Sequence, residues 1–205
     1  MQQTLQNDLN NLIEWSLKWK MTFHPEKCVV MTVGRAPVQE RHYHLLTENG
    51  PIEMTRTAQE RDLGIIWTPD LKFREEIEER VKKANNIVGI VRRSFTYMTA
   101  TSFKLLFKAL VRPHLEYGAP IWNPATLREI NRIEGVQRRA IKMLPGMKER
   151  SYEERLKAMD LPTLRFLRLR GDLIEAFKIC PGLYNYPPEE LLPKNRQDNR
   201  TRGHE

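Results

Sequence analysis

The fold is decided by residues 126–144, TLREINRIEGVQRRAIKML. Apolar side chains recur there at every third or fourth position, which predicts a helix with one buried face. They are Ile130, Ile133, Ala140, Ile141 and Leu144, with the polar Gln137 in the same row. The Thr126 hydroxyl can accept from the first free backbone N–H groups while Glu129 reaches back, which predicts a capping box at the start. Pro145 and Gly146 predict the end.

Further helical patterns lie on both sides of this segment, each with apolar side chains at a spacing of three or four. They cover residues 72–96, a segment from Phe103 toward Pro113 that could reach Tyr117, a short segment capped by Ser151 and Glu154, and residues 160–177 from Asp160 and Pro162 onward. Residues 71–180 are therefore predicted to form a mostly α-helical bundle.

Residues 1–70 show a different pattern. Apolar spacing predicts one helix from about Leu5 to Lys20, and short β-branched runs predict strands at residues 28–33, 42–46, 52–55 and 63–67. Asn49 and Gly50 favour a tight hairpin turn, because both tolerate a positive φ. The expected fold class is α+β, a small antiparallel sheet with one helix followed by the bundle. Residues 181–205 lack a periodic pattern, and we expect a loose polar tail.

Positive charge is concentrated in the predicted bundle. The 205-residue chain has a net charge of +8 at pH 7. Residues 1–70 hold 7 Lys and Arg against 9 Asp and Glu, residues 71–180 hold 23 against 13, and residues 181–205 hold 4 against 4. A basic bundle face suits a nucleic-acid phosphate backbone. The alternative is a solvated surface that only keeps the bundle soluble.

Basic residues that stand off the predicted apolar faces are the candidate contacts. They are Lys82, Lys83, Arg92, Arg93, Arg128, Arg132, Arg138, Arg139, Lys142, Arg165, Arg168 and Arg170. Because they lie on three helices of one bundle, we expect a shared cationic face that binds RNA or DNA without sequence preference. An acidic protein is the alternative partner for the same face.

The sequence lacks the features that place a protein in a membrane or direct it to secretion. No apolar run approaches the ~20 residues that cross a bilayer, and the first residues have neither the basic start nor the apolar core of a standard signal peptide. Cys28 and Cys180 are too few for a disulfide framework. We therefore expect an intracellular protein of the cytoplasm or nucleus, not secreted, with no membrane partner.

Motifs of catalysis are absent from the sequence. There is no glycine-rich nucleotide loop, no H-E-x-x-H and no C-x-x-C, so nucleotide and zinc motifs are excluded. His42 and His44 with Cys28 could form part of a metal site, but two histidines on an exposed strand are the commoner case. No Asp-Asp pair occurs anywhere. We therefore predict no catalytic residue, no metal and no cofactor in this chain, and an unrecognised enzyme site is the least favoured hypothesis.

The order of several segments resembles LINE-type, non-LTR retrotransposon reverse transcriptases of the jockey-like kind. The segments are LNNLIEWSLKW at 9–19, KCVVM at 27–31, ERDLGI at 60–65, VKKAN at 81–85, RRSF at 92–95, LVRPHLEYG at 110–118, IEGVQRRA at 133–140 and RGDLIE at 170–175. Each is weak alone, and together they cover nearly the whole chain.

The resemblance implies an RNA-directed DNA polymerase and roles for particular residues. Residues 1–70 would be the distal palm and residues 71–180 the helical thumb with its extension, gripping a template-primer duplex. Lys27 matches a palm lysine near the incoming triphosphate, where it would be an accessory proton donor, or else a surface lysine. Asp62, Leu63 and Gly64 match the hairpin that holds the primer terminus, or else form an ordinary strand bend.

The chain departs from that family in the residues that polymerisation needs. The intact enzymes use Mg²⁺ on an early palm aspartate and an Ala-Asp-Asp loop, and this sequence has neither. We therefore expect a fragment truncated at both ends, inactive alone and at most a non-specific template-primer binder, with the missing palm and fingers as a partner. The alternative hypothesis is a host-used basic helical interaction module without a nucleic-acid role.

Overall fold

The computed structural model of this chain describes residues 2–34, 41–47, 50–180 and residue 183. Two compact units divide the chain, Met1–Glu76 and Ile77–Glu205. The first combines a helix with short strands and the second is helical. These features confirm the predicted α+β class with a helical region. Among the helices that are described, none has the length and hydropathy needed to cross a bilayer.

The first unit contains one long helix, one 3-10 turn and three two-stranded sheets within its described residues. Its elements are α1 (Gln2–Lys18), the 3-10 turn Pro25–Lys27, β1 (Val29–Val30), β2 (His44–Thr47), β3 (Gly50–Glu53), β4 (Thr55–Arg56), β5 (Glu60–Asp62) and β6 (Ile65–Trp67). The pairs β2–β3 and β5–β6 are antiparallel, as expected, whereas β1 pairs with β4 in parallel.

The prediction of one antiparallel sheet is therefore corrected to three small ladders. The hairpin β2–β3 lies between β1 and β4 along the chain, so β1 and β4 meet by a crossover and not by a turn. Side-chain alternation identifies strands but does not specify which strand becomes the partner. This is why the parallel pair was missed.

Two turns also differ from the sequence expectation. Thr47 pairs with Gly50, so Gly50 lies in the ladder with φ +110, while its predicted turn partner Asn49 lies outside the described residues. Leu63 and Gly64 have φ values of +47 and +76 and connect β5 to β6. Positive φ at both positions is the signature of a type I′ turn. The predicted strand 63–67 thus begins at Ile65.

Helix α1 is tied to strand β2 by one glutamine. The Gln6 amide donates to the His44 carbonyl at 2.8 Å, and its oxygen accepts from the His44 N–H at 3.0 Å. Ile13 and Leu45 are buried. The backbone N–H and carbonyl of His44 are therefore both satisfied by one side chain.

The second unit is built from helices that follow one another through short turns. They are α2 (Arg74–Ser94), α3 (Ala100–Leu106), a π-helical turn (Phe107–Val111), α4 (Arg112–Glu116), α5 (Ala119–Trp122), α6 (Leu127–Ile141), α7 (Tyr152–Met159) and α8 (Leu164–Ile179). The first turn of α2 belongs to the first unit. Both predicted capping boxes are present, at the starts of α6 and α7.

The structure confirms the predicted reach of one helix in this unit and corrects the start of another. The helix predicted from Phe103 continues to Glu116 through the π-helical turn, which precedes Pro113. A proline ring in a regular helix collides with the carbonyl four residues earlier, and the wider turn lies at that place. Helix α8 begins at Leu164, with Thr163 capping it by accepting from the Phe166 N–H at 3.0 Å. Asp160, predicted to open that helix, instead ends α7 with φ +46.

A buried carboxylate on α6 joins this helix to α7 and α8. Glu134 is 4% exposed. It accepts from the Leu164 N–H at 3.2 Å, from the Arg165 N–H at 3.1 Å and from the Tyr152 hydroxyl. The two N–H groups open α8 and have no partner within their own helix. Glu134 therefore caps α8 from a neighbouring helix.

The polar cluster continues through Gln137, which is 1% exposed. Its amide donates to the Tyr152 hydroxyl at 3.1 Å and to the Pro162 carbonyl at 2.9 Å. Burial, and then the Glu134 carboxylate, raise the pKa of Tyr152 well above its usual value. The phenol therefore stays neutral and serves as a donor. Through these bonds α6 fixes both the start of α7 and the turn into α8.

Replacing Glu134 with Gln is expected to lower the free energy of unfolding by about 1–3 kcal/mol, since a buried backbone N–H of α8 loses its acceptor. Urea unfolding followed by circular dichroism measures the change. Glu153→Gln is the control, because Glu153 is an exposed acid in the first turn of α7, and its effect should stay within about 0.5 kcal/mol. Equal, small losses in both variants would contradict the capping role of Glu134.

Candidate nucleic-acid interface

A groove in the second unit lies between the end of α2, the loop that follows it and the end of α6. We call it the α2–α6 groove. Its lining residues are Arg92, Phe95, Thr96, Tyr97, Met98, Thr99, Arg139, Lys142, Met143, Pro145 and Lys148, and its volume is about 880 Å³. Sites for small ligands span roughly 300–1,000 Å³, so the groove has room for a nucleotide.

The charge of the α2–α6 groove has one sign. Arg92, Arg139, Lys142 and Lys148 line it, and no carboxylate occurs among its described lining residues. Within the described part of the chain, Arg92, Lys142 and Lys148 form no salt bridge. Four cations around a concave surface raise the local positive potential, because the low-dielectric walls focus the field. The groove therefore attracts anions.

Helix ends explain why these cations lie there. Arg92 occupies the last turn of α2, Arg139 the last turn of α6, and Lys142 is the C-cap of α6. Cations are stabilised at helix C-termini by the carbonyl groups that carry partial negative charge. The ends of two neighbouring helices thus place three cations on one surface.

Arg139 is held in a defined position. Its Nη2 donates to the Asn85 Oδ1 at 2.9 Å, which joins α6 to α2. A Cβ at Gly135 would lie 3.2 Å from Arg139 Nη1. The glycine one turn earlier therefore leaves room for the guanidinium to lie along α6. Among the described residues Asn85 is the hydrogen-bond partner of its guanidinium, which carries five N–H donors in all.

Aromatic and thioether side chains accompany the cations. Tyr97 is 95% exposed and Phe95 is 46% exposed. Met98 and Met143 are half-buried in the same groove. Tyr97, Phe95 and Lys148 were not predicted from the sequence as site residues. Two aromatic residues within a polar connection between helices were the available signal.

The structure brings together three of the basic residues predicted from the sequence, Arg92, Arg139 and Lys142. Others are exposed but do not line the groove, namely Lys82, Arg93, Arg128, Arg165 and Arg170. Lys83 pairs with Glu79 at 2.5 Å and Arg132 with Glu78 at 2.6 Å. The predicted cationic face is thus partly neutralised away from the groove.

Two predicted contacts are engaged with other groups. The Arg138 guanidinium lies 4.8 Å from the centroid of the Tyr152 ring, a cation–π contact. Arg168 is 4% exposed, and its two terminal nitrogens are buried without a described hydrogen-bond partner. Burial lowers the pKa of Arg168, while Glu134 and Glu116 act in the opposite direction. The assignment of Arg168 to a surface contact is corrected, because its charge lies inside the bundle.

The predicted site residues of the first unit lie at exposed turns. Lys27 ends the 3-10 turn, where its N–H donates to the His24 carbonyl at 3.0 Å. Asp62 ends β5, and Leu63 and Gly64 form the tip of the hairpin, where Leu63 is 81% exposed. The accessory role of Lys27 and the primer-holding role of the hairpin stay predictions.

The histidines considered as metal ligands have other surroundings. His42 pairs with the Glu53 carboxylate, and this hydrogen bond lowers the pKa of Glu53. Among the described residues, no group of three or more His, Cys, Asp and Glu side chains is placed to hold a metal ion.

Comparison with known proteins relates the chain to a polymerase. It is similar to the RNA-directed DNA polymerase from mobile element jockey of Drosophila funebris, with 25% identity over 164 residues. The similarity covers 75% of this chain and 17% of that protein. This supports a relationship to reverse transcriptases. No protein-family description and no solved structure matches the chain. The assignment of the units to palm and thumb stays a prediction.

Leu63→Asn is expected to raise the free energy of unfolding by about 1 kcal/mol, because a left-handed backbone is costly for leucine and tolerated by asparagine. Thermal and urea unfolding of the full chain measure the gain. Leu63→Ala is the matched control, since it also removes the exposed side chain but keeps the cost of positive φ, so no such gain is expected. A gain of the same size in both variants would refute the strained-turn explanation.

Proposed function

We propose that this chain is the distal palm and thumb part of a retrotransposon reverse transcriptase, and that it binds nucleic acid non-specifically through the α2–α6 groove. The observation that carries the proposal is the grouping of four cations without a described carboxylate in that groove. The similarity to an RNA-directed DNA polymerase supports the same conclusion.

The two units support the subdomain part of the proposal. The first unit holds α1, the 3-10 turn with Lys27 and the hairpin with Asp62, and the second is helical and carries the groove. This matches the order implied by the quoted segments. The chain spans about 17% of the length of the curated relative that it matches. In this proposal residues 1–70 are palm and residues 71–180 are thumb and extension.

Binding by the groove would be electrostatic. Each Lys or Arg that neutralises a phosphate releases condensed counterions, and this gain requires no particular base. Arg139 offers a planar fork of donors that matches phosphate oxygens, while Lys142 and Lys148 act as point charges. The expected partner is a template-primer, bound through its backbone.

The residues present do not fit a two-metal polymerisation centre. The sequence contains no Asp-Asp pair, and the described residues contain no cluster of metal ligands. Two divalent ions require carboxylates that contact both. We therefore propose that the chain does not polymerise by itself and that Mg²⁺ has no site here.

An apolar surface on the second half of α1 and the turn after it supports a partner for the first unit. Leu12, Trp15 and Trp19 are 44%, 46% and 61% exposed. Large apolar side chains grouped on a surface are typical of a contact site. In our proposal the rest of the palm and the fingers of the same element cover this surface.

The paired substitution Arg92→Gln with Lys142→Gln is expected to weaken binding of a labelled duplex and to flatten its salt dependence. The slope of log K against log salt should fall by about 0.9 for each lost phosphate contact. Fluorescence anisotropy across a salt series measures both effects. Lys108→Gln with Lys157→Gln is the control, because both lysines are exposed and lie outside the groove. These two substitutions remove the same amount of positive charge as Arg92→Gln with Lys142→Gln. If both double variants weaken duplex binding equally, affinity depends on the net charge of the chain and not on the groove.

Purified chain given primer-template, Mg²⁺ and the four deoxynucleotides is expected to extend no primer, because the carboxylates that seat the two ions are missing. Gel analysis of labelled primer is the measurement, and a known reverse transcriptase on the same substrate is the control. Extension by the isolated chain would overturn this part of the proposal.

A further inference from the structure

Tyr97 stands at the tip of a loop whose two ends are fixed. The Phe95 N–H donates to the Val91 carbonyl at 3.2 Å, which attaches the loop to α2. Thr99 caps α3 by accepting from the Ser102 N–H at 3.1 Å. Only three residues separate these anchors, and the side chain of Tyr97 is 95% exposed. A large aromatic ring is thus exposed to solvent on a short loop that is fixed at both ends.

The groove that Tyr97 lines contains two kinds of side chain. Arg92, Arg139 and Lys142 supply positive charge, whereas Met98 and Met143 supply a polarisable, apolar surface. Phosphate groups bind the positive charges, whereas the faces of bases bind the polarisable, apolar surface. Cations that follow a backbone, interleaved with aromatic rings, are characteristic of proteins that bind single strands.

A duplex uses only part of this surface. Its bases are stacked on one another and present their edges in the grooves, so an exposed tyrosine finds no free base face. Unpaired bases do present their faces, and stacking on an aromatic side chain tolerates any base. An acidic peptide would use the cations but leave the exposed ring without a partner.

We propose that the α2–α6 groove binds a single-stranded segment of nucleic acid, with one base stacked on Tyr97 and the adjoining phosphates on Arg92, Arg139 and Lys142. This rests on the proposed nucleic-acid function and specifies its ligand. The groove volume of about 880 Å³ accommodates a short tract. An unpaired template or a displaced strand has the required chemistry in RNA or in DNA.

The test measures the affinity of the full chain for labelled oligo(dT), oligo(rU) and a blunt DNA duplex by fluorescence anisotropy. Tyr97→Ala is expected to weaken single-strand binding roughly 5- to 150-fold, the range for loss of one base–aromatic stack. Tyr97→Phe keeps the ring and should stay within about twofold of the unmodified chain. Duplex affinity should not change with either variant.

Phe177→Ala is the matched control, because Phe177 is 70% exposed on α8 and lies outside the groove. It should leave all three affinities unchanged. Since Tyr97 and Phe177 are exposed, circular dichroism should show the same unfolding midpoint for both alanine variants. A loss confined to the dT or the rU arm identifies which strand the groove takes and supports the proposal.

The outcomes separate this inference from the proposed function. If Arg92→Gln with Lys142→Gln weakens single-strand and duplex binding while Tyr97→Ala weakens neither, the stacking site is wrong and the electrostatic function stands. If the charge pair changes no affinity, the proposed function fails as well. Equal losses on duplex and single strands in Tyr97→Ala would overturn the single-strand assignment. So would displacement by polyglutamate at lower concentration than by oligo(dT), which would favour an acidic protein.

Discussion

The second unit depends on a carboxylate that is buried among helices. Glu134 accepts two backbone N–H groups at the start of α8 and the hydroxyl of Tyr152 on α7. A helix start buried without such partners would be costly, because its first N–H groups have none within the helix. The polar residues of segment 133–140 therefore have two roles. Glu134 and Gln137 face inward and join three helices, and Arg138 and Arg139 face outward.

This division connects the fold to the candidate site. The polar cluster fixes α7 and α8 against α6. The C-terminal part of α6 lies beside α2, where Arg139 donates a hydrogen bond to Asn85. The cations of the α2–α6 groove come from two helix ends and from the turn after α6, and no short stretch of sequence contains them all. The interior also holds the Arg168 charge, near Glu134 and Glu116. One basic side chain, Arg168, is thus buried among the helices, whereas the cations of the groove lie on the surface.

Local signals predicted the longer helices, but they did not predict contacts between residues that are far apart in the sequence. The capping boxes of Thr126 with Glu129 and Ser151 with Glu154 are short-range chemistry, and both were predicted correctly. The parallel pairing of β1 with β4 depends on residues far apart in sequence, and a strand pattern contains no information on its partner. Arg168 was predicted to be a surface residue because, like Arg165 and Arg170, it stands off the predicted apolar face. For the site, the charges were visible in the composition, whereas the contribution of Tyr97 required knowing that its loop lies beside the end of α6.

In this proposal nucleic acid occupies the α2–α6 groove of a chain related to reverse transcriptases. Photo-crosslinking of the full chain to an oligonucleotide that carries 5-bromodeoxyuridine, followed by mass spectrometry of the digested protein, identifies the peptides that contact the bound strand. If nucleic acid lies in the groove, the crosslinked peptides come from the loop that contains Tyr97 and from the turn after α6 that contains Met143. Crosslinks confined to the first unit or to α8, with these peptides unmodified, would contradict the proposal.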